Sequence, residues 1–266
     1  MKLNEQVAII TGSTKGIGYS LAKSLVEKGT AVVVNGRNHE RVNQTVRDLQ
    51  AIGGKVIGIA GAVENPETGK KLVNLGTQTF GKVTILINNA GIIHDKISYK
   101  MTDDEFSNVI DVHVKGSFYC TKPFIQQVKK QGIGGHIINM TSDSGLEGNI
   151  GQINYSAAKS AINGMTWTLA KELKKDQIIV NAIAPAALTD MTRPYVERAQ
   201  QMAIEKGNPL SPNWEIGTPK EVANFIVALL EKREFEETGS IFGVNGQNVV
   251  RWEPPVRVTY NKNVVF

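Results

Sequence analysis

Short β-branched runs alternate with amphipathic stretches along the whole chain, and this alternation narrows the possible folds more than any other feature. Val7-Ala8-Ile9-Ile10 leads into a stretch from Gly16 to Lys28 in which Ile17, Leu21, Ala22, Leu25 and Val26 recur at helical spacing. The pair repeats as Ala31 to Val34 then His39 to Ile52, and as Val56 to Ala60 then Pro66 to Phe80. Thr84 to Ile87 follows, then a capping box at Thr102-Asp103-Asp104-Glu105 that opens a long helix toward Lys130. Pro123 is expected to kink or split that helix. Strands at Gly135 to Met140, Ile178 to Ile183 and Ser240 to Val244 alternate with helices at Asn154 to Lys174 and Pro219 to Glu231. Strands without polar alternation are buried on both faces, so the sheet is parallel and covered on both sides. Right-handed crossovers make it a doubly wound, Rossmann-type α/β sheet of about seven strands.

No Pro/Gly/Ser-rich linker and no internal repeat divides the chain, so residues 1–246 are expected to form a single domain. Residues 188–215, with Pro194, Pro209 and Pro212, break the rhythm and read as a mobile substrate lid. Met191, Tyr195, Met202 and Trp214 there suit an apolar or acyl chain, or simply pack the segment itself. Residues 247–266, with Trp252, Pro254, Pro255 and Tyr260, read as a C-terminal extension of the same domain.

Composition removes several classes. Cys120 is the only cysteine, which excludes an intrachain disulfide and any zinc site with two Cys ligands, and fits a reducing, cytoplasmic compartment. No histidine or carboxylate cluster has metal-ligand spacing, so no metal is expected. Apolar runs stay far below the ~18 residues of a membrane span, and the first residues lack the apolar core of a secretory signal. The net charge of +5 is scattered rather than striped, which argues against nucleic acid.

The first strand runs into Thr11-Gly12-Ser13-Thr14-Lys15-Gly16-Ile17-Gly18 and then a helix. Glycines there let the backbone approach a pyrophosphate, and the helix N-terminus offers free N–H groups. A tight turn without ligand is the alternative. An NAD site usually carries a carboxylate at the end of the second strand. Here that point reads Asn35-Gly36-Arg37-Asn38, and Arg37 is placed to pair with a 2′-phosphate, with Lys15 able to reach the same group. The cofactor expected is NADP(H); solvated surface charge is the alternative for both cations.

Tyr155 and Lys159 are four residues apart on one helix face, and Ser142 follows the fifth strand. An ammonium beside a phenol is expected to lower its pKa, ordinarily ~10, and make it a usable acid or base. Lys159 can do this while binding the nicotinamide ribose, and Ser142 can orient a substrate oxygen. Tyr-x-x-x-Lys alone is a common surface pair; together with the glycine turn it reads as an active site.

At these residues the chain resembles the short-chain dehydrogenase/reductase family. The resemblance rests on Thr11-Gly12-x-x-x-Gly16-Ile17-Gly18, Asn88-Asn89-Ala90-Gly91, Ser142, Tyr155-x-x-x-Lys159 and Pro185 to Thr189, and covers roughly residues 3–246. It implies hydride transfer to or from a nicotinamide and a homotetramer. It also implies that Ser13, Asn38, Asn89, Ala90 and Gly91 line the cofactor, that Pro185 and Thr189 contact its nicotinamide end, and that Gln152 lies at the substrate. Gly148-Asn149-x-Gly151-Gln152-x-Asn154-Tyr155 is most similar to 3-oxoacyl-acyl-carrier-protein reductases.

The chain departs from the family at four points. His113 stands where most members carry an Asn that holds a water beside the lysine; it can relay protons, titrating near pH 7, or simply pack against backbone. It is reminiscent of the 3-hydroxyacyl-CoA dehydrogenase branch. Ala62 replaces an Asp at the adenine, leaving that end to the Val63 backbone and Arg37. Pro185-Ala186 and Asn245-Gly246-Gln247 replace Pro-Gly and Asp-Gly-Gly. The expected activity is NADPH-dependent reduction of a carbonyl, foremost a 3-oxoacyl thioester. A sugar, polyol, steroid or other carbonyl is the rival substrate, and a non-catalytic nucleotide-binding role the rival class.

Overall fold

The computed structural model describes residues 2–231 and 237–257. Its strands are β1 (Val7–Ile10), β2 (Ala31–Gly36), β3 (Val56–Ala60), β4 (Ile85–Asn88), β5 (Gly135–Met140), β6 (Ile178–Ala186), β7 (Ile241–Asn245) and β8 (Asn248–Trp252). They form one sheet in the order β3-β2-β1-β4-β5-β6-β7-β8. All neighbours are parallel except β7 and β8. Along β1, Ala8 and Ile10 enter one core and Val7 and Ile9 the other. That is why the strand needs no polar alternation.

The helices that cover these two cores are α1 (Gly16–Glu27), α2 (His39–Ala51), α3 (Pro66–Phe80), α4 (Asp103–Ile110), α5 (Gly116–Gln131), the short α6 (Ser144–Glu147), α7 (Ile153–Glu172), α8 (Arg193–Glu205) and α9 (Pro219–Glu231). Leu21 and Leu25 of α1 and Ile226 and Leu230 of α9 pack on one face; Leu72 of α3 and Phe124 and Val128 of α5 pack on the other. The strand order reverses between β1 and β4, which opens a crevice at their carboxyl ends.

The expected long helix is interrupted, but not at the proline. The capping box forms, with Glu105 N donating to Thr102 Oγ1 at 3.2 Å and Thr102 N to Glu105 Oε2 at 2.9 Å. The helix then passes through one π-helical turn, Asp111–Lys115, and continues as α5 with Pro123 inside it. Pro123 has no N–H for the carbonyl of Tyr119. That carbonyl instead faces Gly69 of α3, where any Cβ would collide with it. Close approach of α3 thus absorbs the proline.

The sheet has an eighth strand where seven were expected. Asn245 pairs with Asn248 across Gly246-Gln247, and Gly246 has φ +57°. Asn-Gly is a hairpin signal, and the strand after it turns back along β7. The 188–215 segment contains α8. Tyr260, with residues 258–266, lies outside the described residues. No helix among the described residues is long and apolar enough to cross a membrane.

Candidate active site

The glycine turn sits at the mouth of the crevice. Gly12 and Gly16 have φ +62° and +56°, the left-handed region. A Cβ on Gly12 would lie 2.8 Å from Ala90 Cα, and one on Gly18 would lie 2.5 Å from Asn89 Nδ2. Asn89 Nδ2 donates to the carbonyls of Thr11 and Gly12 at 2.9 and 3.0 Å, while the N–H groups of Asn89 and Ala90 donate to Thr11 Oγ1, both at 3.0 Å. Ser13 Oγ donates to Ile10 O at 2.8 Å. Thr11 is therefore the bolt between β1 and β4, a role that its place at the end of a strand did not signal. Lys15 leads into α1 without a side-chain cap, and the first turn, with Ile17, holds no acidic residue. The turn is thus shaped for backbone approach and favourable to an anion, which fits a dinucleotide pyrophosphate.

At the end of β2, Asn35 is buried and bonded to Ile59 O and Gly61 O at 3.2 and 3.0 Å. Arg37 is exposed, and no partner engages its guanidinium among the described residues. Asn38 caps α2 by accepting from Arg41 N at 2.9 Å. Lys15 is paired with Asp190 at 3.1 Å rather than standing free. Val63 is buried against Gly116, with Ala62 half-buried beside it. Pro185 lies on β6 opposite Val244, and Thr189 packs near Gly16.

Ser142 follows β5, and Tyr155 and Lys159 project from the first two turns of α7. Burial pushes the Tyr155 phenol up to about 12, against a hydrogen bond with Ser142 that lowers it. Burial likewise pulls the Lys159 ammonium down to about 7. Lys159 Nζ lies 5.3 Å from the centre of the Tyr155 ring and donates to Met140 O at 2.6 Å. The expected lowering of the phenol by Lys159 is not seen: desolvation outweighs the Ser142 hydrogen bond, and the phenol rests protonated. A protonated phenol held beside a serine hydroxyl is suited to give a proton to a substrate oxygen.

His113 sits on the π turn and is buried. Its Nε2 lies 2.8 Å from Ile92 O and 3.1 Å from Ile92 N. Burial first, then the Lys159 charge, hold its pKa down to about 3, against the bond to Ile92. The expectation that it titrates near pH 7 is therefore corrected: the ring is neutral there.

Gln152 is buried, and its amide is bonded to protein groups: Oε1 accepts from Ser144 Oγ and Asn149 Nδ2 at 2.9 and 3.1 Å, and Nε2 donates to Asp95 at 2.8 Å. Asp95 joins the candidate site through this bond. Its only sequence signal is a carboxylate four residues beyond Gly91.

The site's arrangement has counterparts. The short chain dehydrogenase family model matches residues 6–200. The chain is 34% identical to a 3-oxoacyl-acyl-carrier-protein reductase FabG of Thermotoga maritima over 94% of this chain and 100% of that one. It is 34% identical to a 3alpha-hydroxysteroid dehydrogenase of Mediterraneibacter gnavus, over 92% and 98%. A crystal structure of a short chain dehydrogenase from Mycobacterium avium superposes with a TM-score of 0.84 at 28% identity, over 100% of this chain and 91% of that one. A nicotinamide-dependent oxidoreductase of CH–OH and C=O groups, the chain belongs to the short chain dehydrogenase family.

Proposed function

We propose that the protein is an NADPH-dependent reductase of 3-oxoacyl thioesters. The observation that carries the chemistry is the cluster of half-buried Ser142 and Tyr155 with buried Lys159 beside the β1–β4 crevice. A bound reduced nicotinamide supplies the hydride. Tyr155 gives its phenolic proton to the carbonyl oxygen as charge develops there. Ser142 donates a hydrogen bond to the same oxygen and so orients the carbonyl. Lys159 stabilises the phenolate left behind, and Met140 O holds its ammonium in place. His113 seats the Tyr155 ring as a neutral imidazole.

The preference for NADPH rests on Arg37, an unpaired cation at the end of β2 where no carboxylate stands. The cofactor would be held by Gly12 to Gly18, Arg37, Asn38, Ala62, Val63, Asn89, Ala90, Gly91, Pro185 and Thr189, with Tyr155 and Lys159 at its reactive end. Residues 188–215 act as the lid. Tyr195, Met202, Leu210 and Trp214 line a groove of about 400 Å³ with Arg198 and Lys206 on its wall, apolar and cationic as an acyl chain on an anionic carrier requires. The Thermotoga reductase, alike over nearly its full length, supports this substrate class. The steroid dehydrogenase relative favours a 3-oxosteroid as second reading. The lone, buried Cys120 agrees with a cytoplasmic setting. Exposed Phe106, Phe118 and Ile153 are apolar surface that a homotetramer would cover.

The test follows loss of reduced-nicotinamide absorbance with acetoacetyl-CoA and with a 3-oxosteroid, each with NADPH and NADH. Turnover of the thioester, much faster with NADPH, is the expected result. Turnover of the steroid alone selects the second reading.

A further inference from the structure

Asp95 joins two stretches that lie 57 and 100 residues after it in the sequence. Its Oδ2 accepts one hydrogen bond from Gln152 Nε2 and one from Tyr195 Oη, both at 2.8 Å. Through Gln152 the carboxylate reaches Ser144 and Asn149, so the stretch between Ser142 and Tyr155 is gathered onto one amide. Lys96 N donates to Gly151 O at 2.8 Å and ties the same two stretches by backbone. Tyr195 belongs to α8. Among the described residues it is the one side chain of that helix hydrogen-bonded outside it; Gln201 bonds within the helix, to Glu205. The ring of Tyr195 lines the groove with Met202, Leu210 and Trp214, while its hydroxyl points to the site.

We propose that Asp95 is a positioning residue that latches the lid, holding Tyr195 against the Ser142–Tyr155 stretch and so fixing the wall of the groove that its ring forms. This rests on the reading of residues 188–215 as the lid. The hydroxyl of Tyr195 holds the lid through the carboxylate of Asp95, its one hydrogen-bond partner among the described residues. A lid that is held more loosely binds substrate more weakly but leaves proton transfer at Tyr155 alone, so the loss falls on KM rather than kcat.

The experiment compares Tyr195→Phe, Asp95→Ala and the double variant. Tyr195→Phe keeps the ring and removes only the hydroxyl, so it separates the latch from folding. Limited trypsin digestion at Arg198 and Lys206 reads lid opening directly and needs no substrate. Cleavage there is expected to quicken about tenfold in each single variant and no further in the double, as for a local opening that loses one charged hydrogen bond. With a turned-over carbonyl, KM should rise by about the same factor in each, with kcat within about twofold and NADPH affinity unchanged. Cleavage as slow in Tyr195→Phe as in the parent overturns the latch. So do additive effects of the two substitutions. Absence of thioester turnover in the parent would refute the proposed substrate and leave the digestion test to decide the latch.

Discussion

The imidazole of His113 stands edge-on to the ring of Tyr155, with centroids 5.3 Å apart and planes at 88°. The π turn at Asp111–Lys115 creates this relationship, because the extra residue in the turn re-aims the side chains after Ile110. Ile92 then fixes the ring by its backbone. Gly91 closes the other side: a Cβ there would lie 2.5 Å from His113 Cε1. The histidine is thus a wall against which the Tyr155 ring sits.

A neutral, buried histidine has a consequence for acid stability. His113 ordinarily titrates near 6.5 and is held at about 3 by burial; His136 is held at about 4, also by burial. Between those values and 6.5 the unfolded chain binds protons that the folded chain does not. Stability therefore rises with pH through that window and is lost as pH falls through it. His113→Asn removes one of the two contributions, so the rise in Tm from pH 4 to 6.5 should flatten, at about 2–4 °C for each kcal/mol. Equal slopes in parent and variant would contradict the burial argument. Thermal melts across pH measure it.

The proposed preference for NADPH rests on Arg37. Removing a cation from a phosphate costs roughly 1.5–3 kcal/mol, or about 10- to 150-fold. Arg37→Ala should raise KM for NADPH by that order and leave KM for NADH nearly unchanged. Parallel loss with both cofactors would mean that Arg37 does not read the 2′-phosphate.

Gly69 marks a backbone contact rather than a turn. A methyl group there would meet the carbonyl of Tyr119, which Pro123 leaves without its helical donor. Gly69→Ala should destabilise the fold by about 1–3 kcal/mol through forced separation of α3 and α5. A melting temperature within a degree of the parent would show that the helices part easily.

The sheet, its parallel direction and the meeting of Ser142, Tyr155 and Lys159 were legible because each depends on local chemistry. β-Branched runs such as Val32-Val33-Val34 mark strands buried on both faces, and Tyr155 and Lys159 need only helical spacing to meet. Three features were not legible. The π turn at His113 carries no residue signal of its own and is set by packing. Pro123 reads as a helix breaker unless the approach of Gly69, more than fifty residues away, is known. Asp95 meets Tyr195 only after the 188–215 segment folds back over the site, so nothing in its neighbourhood announces it. The eighth strand is announced by Asn245-Gly246, a hairpin signal that also marks a departure from the family motif.

In the proposed reaction Tyr155 gives the proton while the rest of the site binds cofactor. Tyr155→Phe keeps the ring against His113 and removes the one hydroxyl that does the chemistry. The measurement is kcat with acetoacetyl-CoA and NADPH for parent and variant, beside NADPH binding by fluorescence. The account predicts that turnover falls about 10²–10⁴-fold while NADPH binds within a few-fold of the parent. Retained turnover in the variant would contradict it.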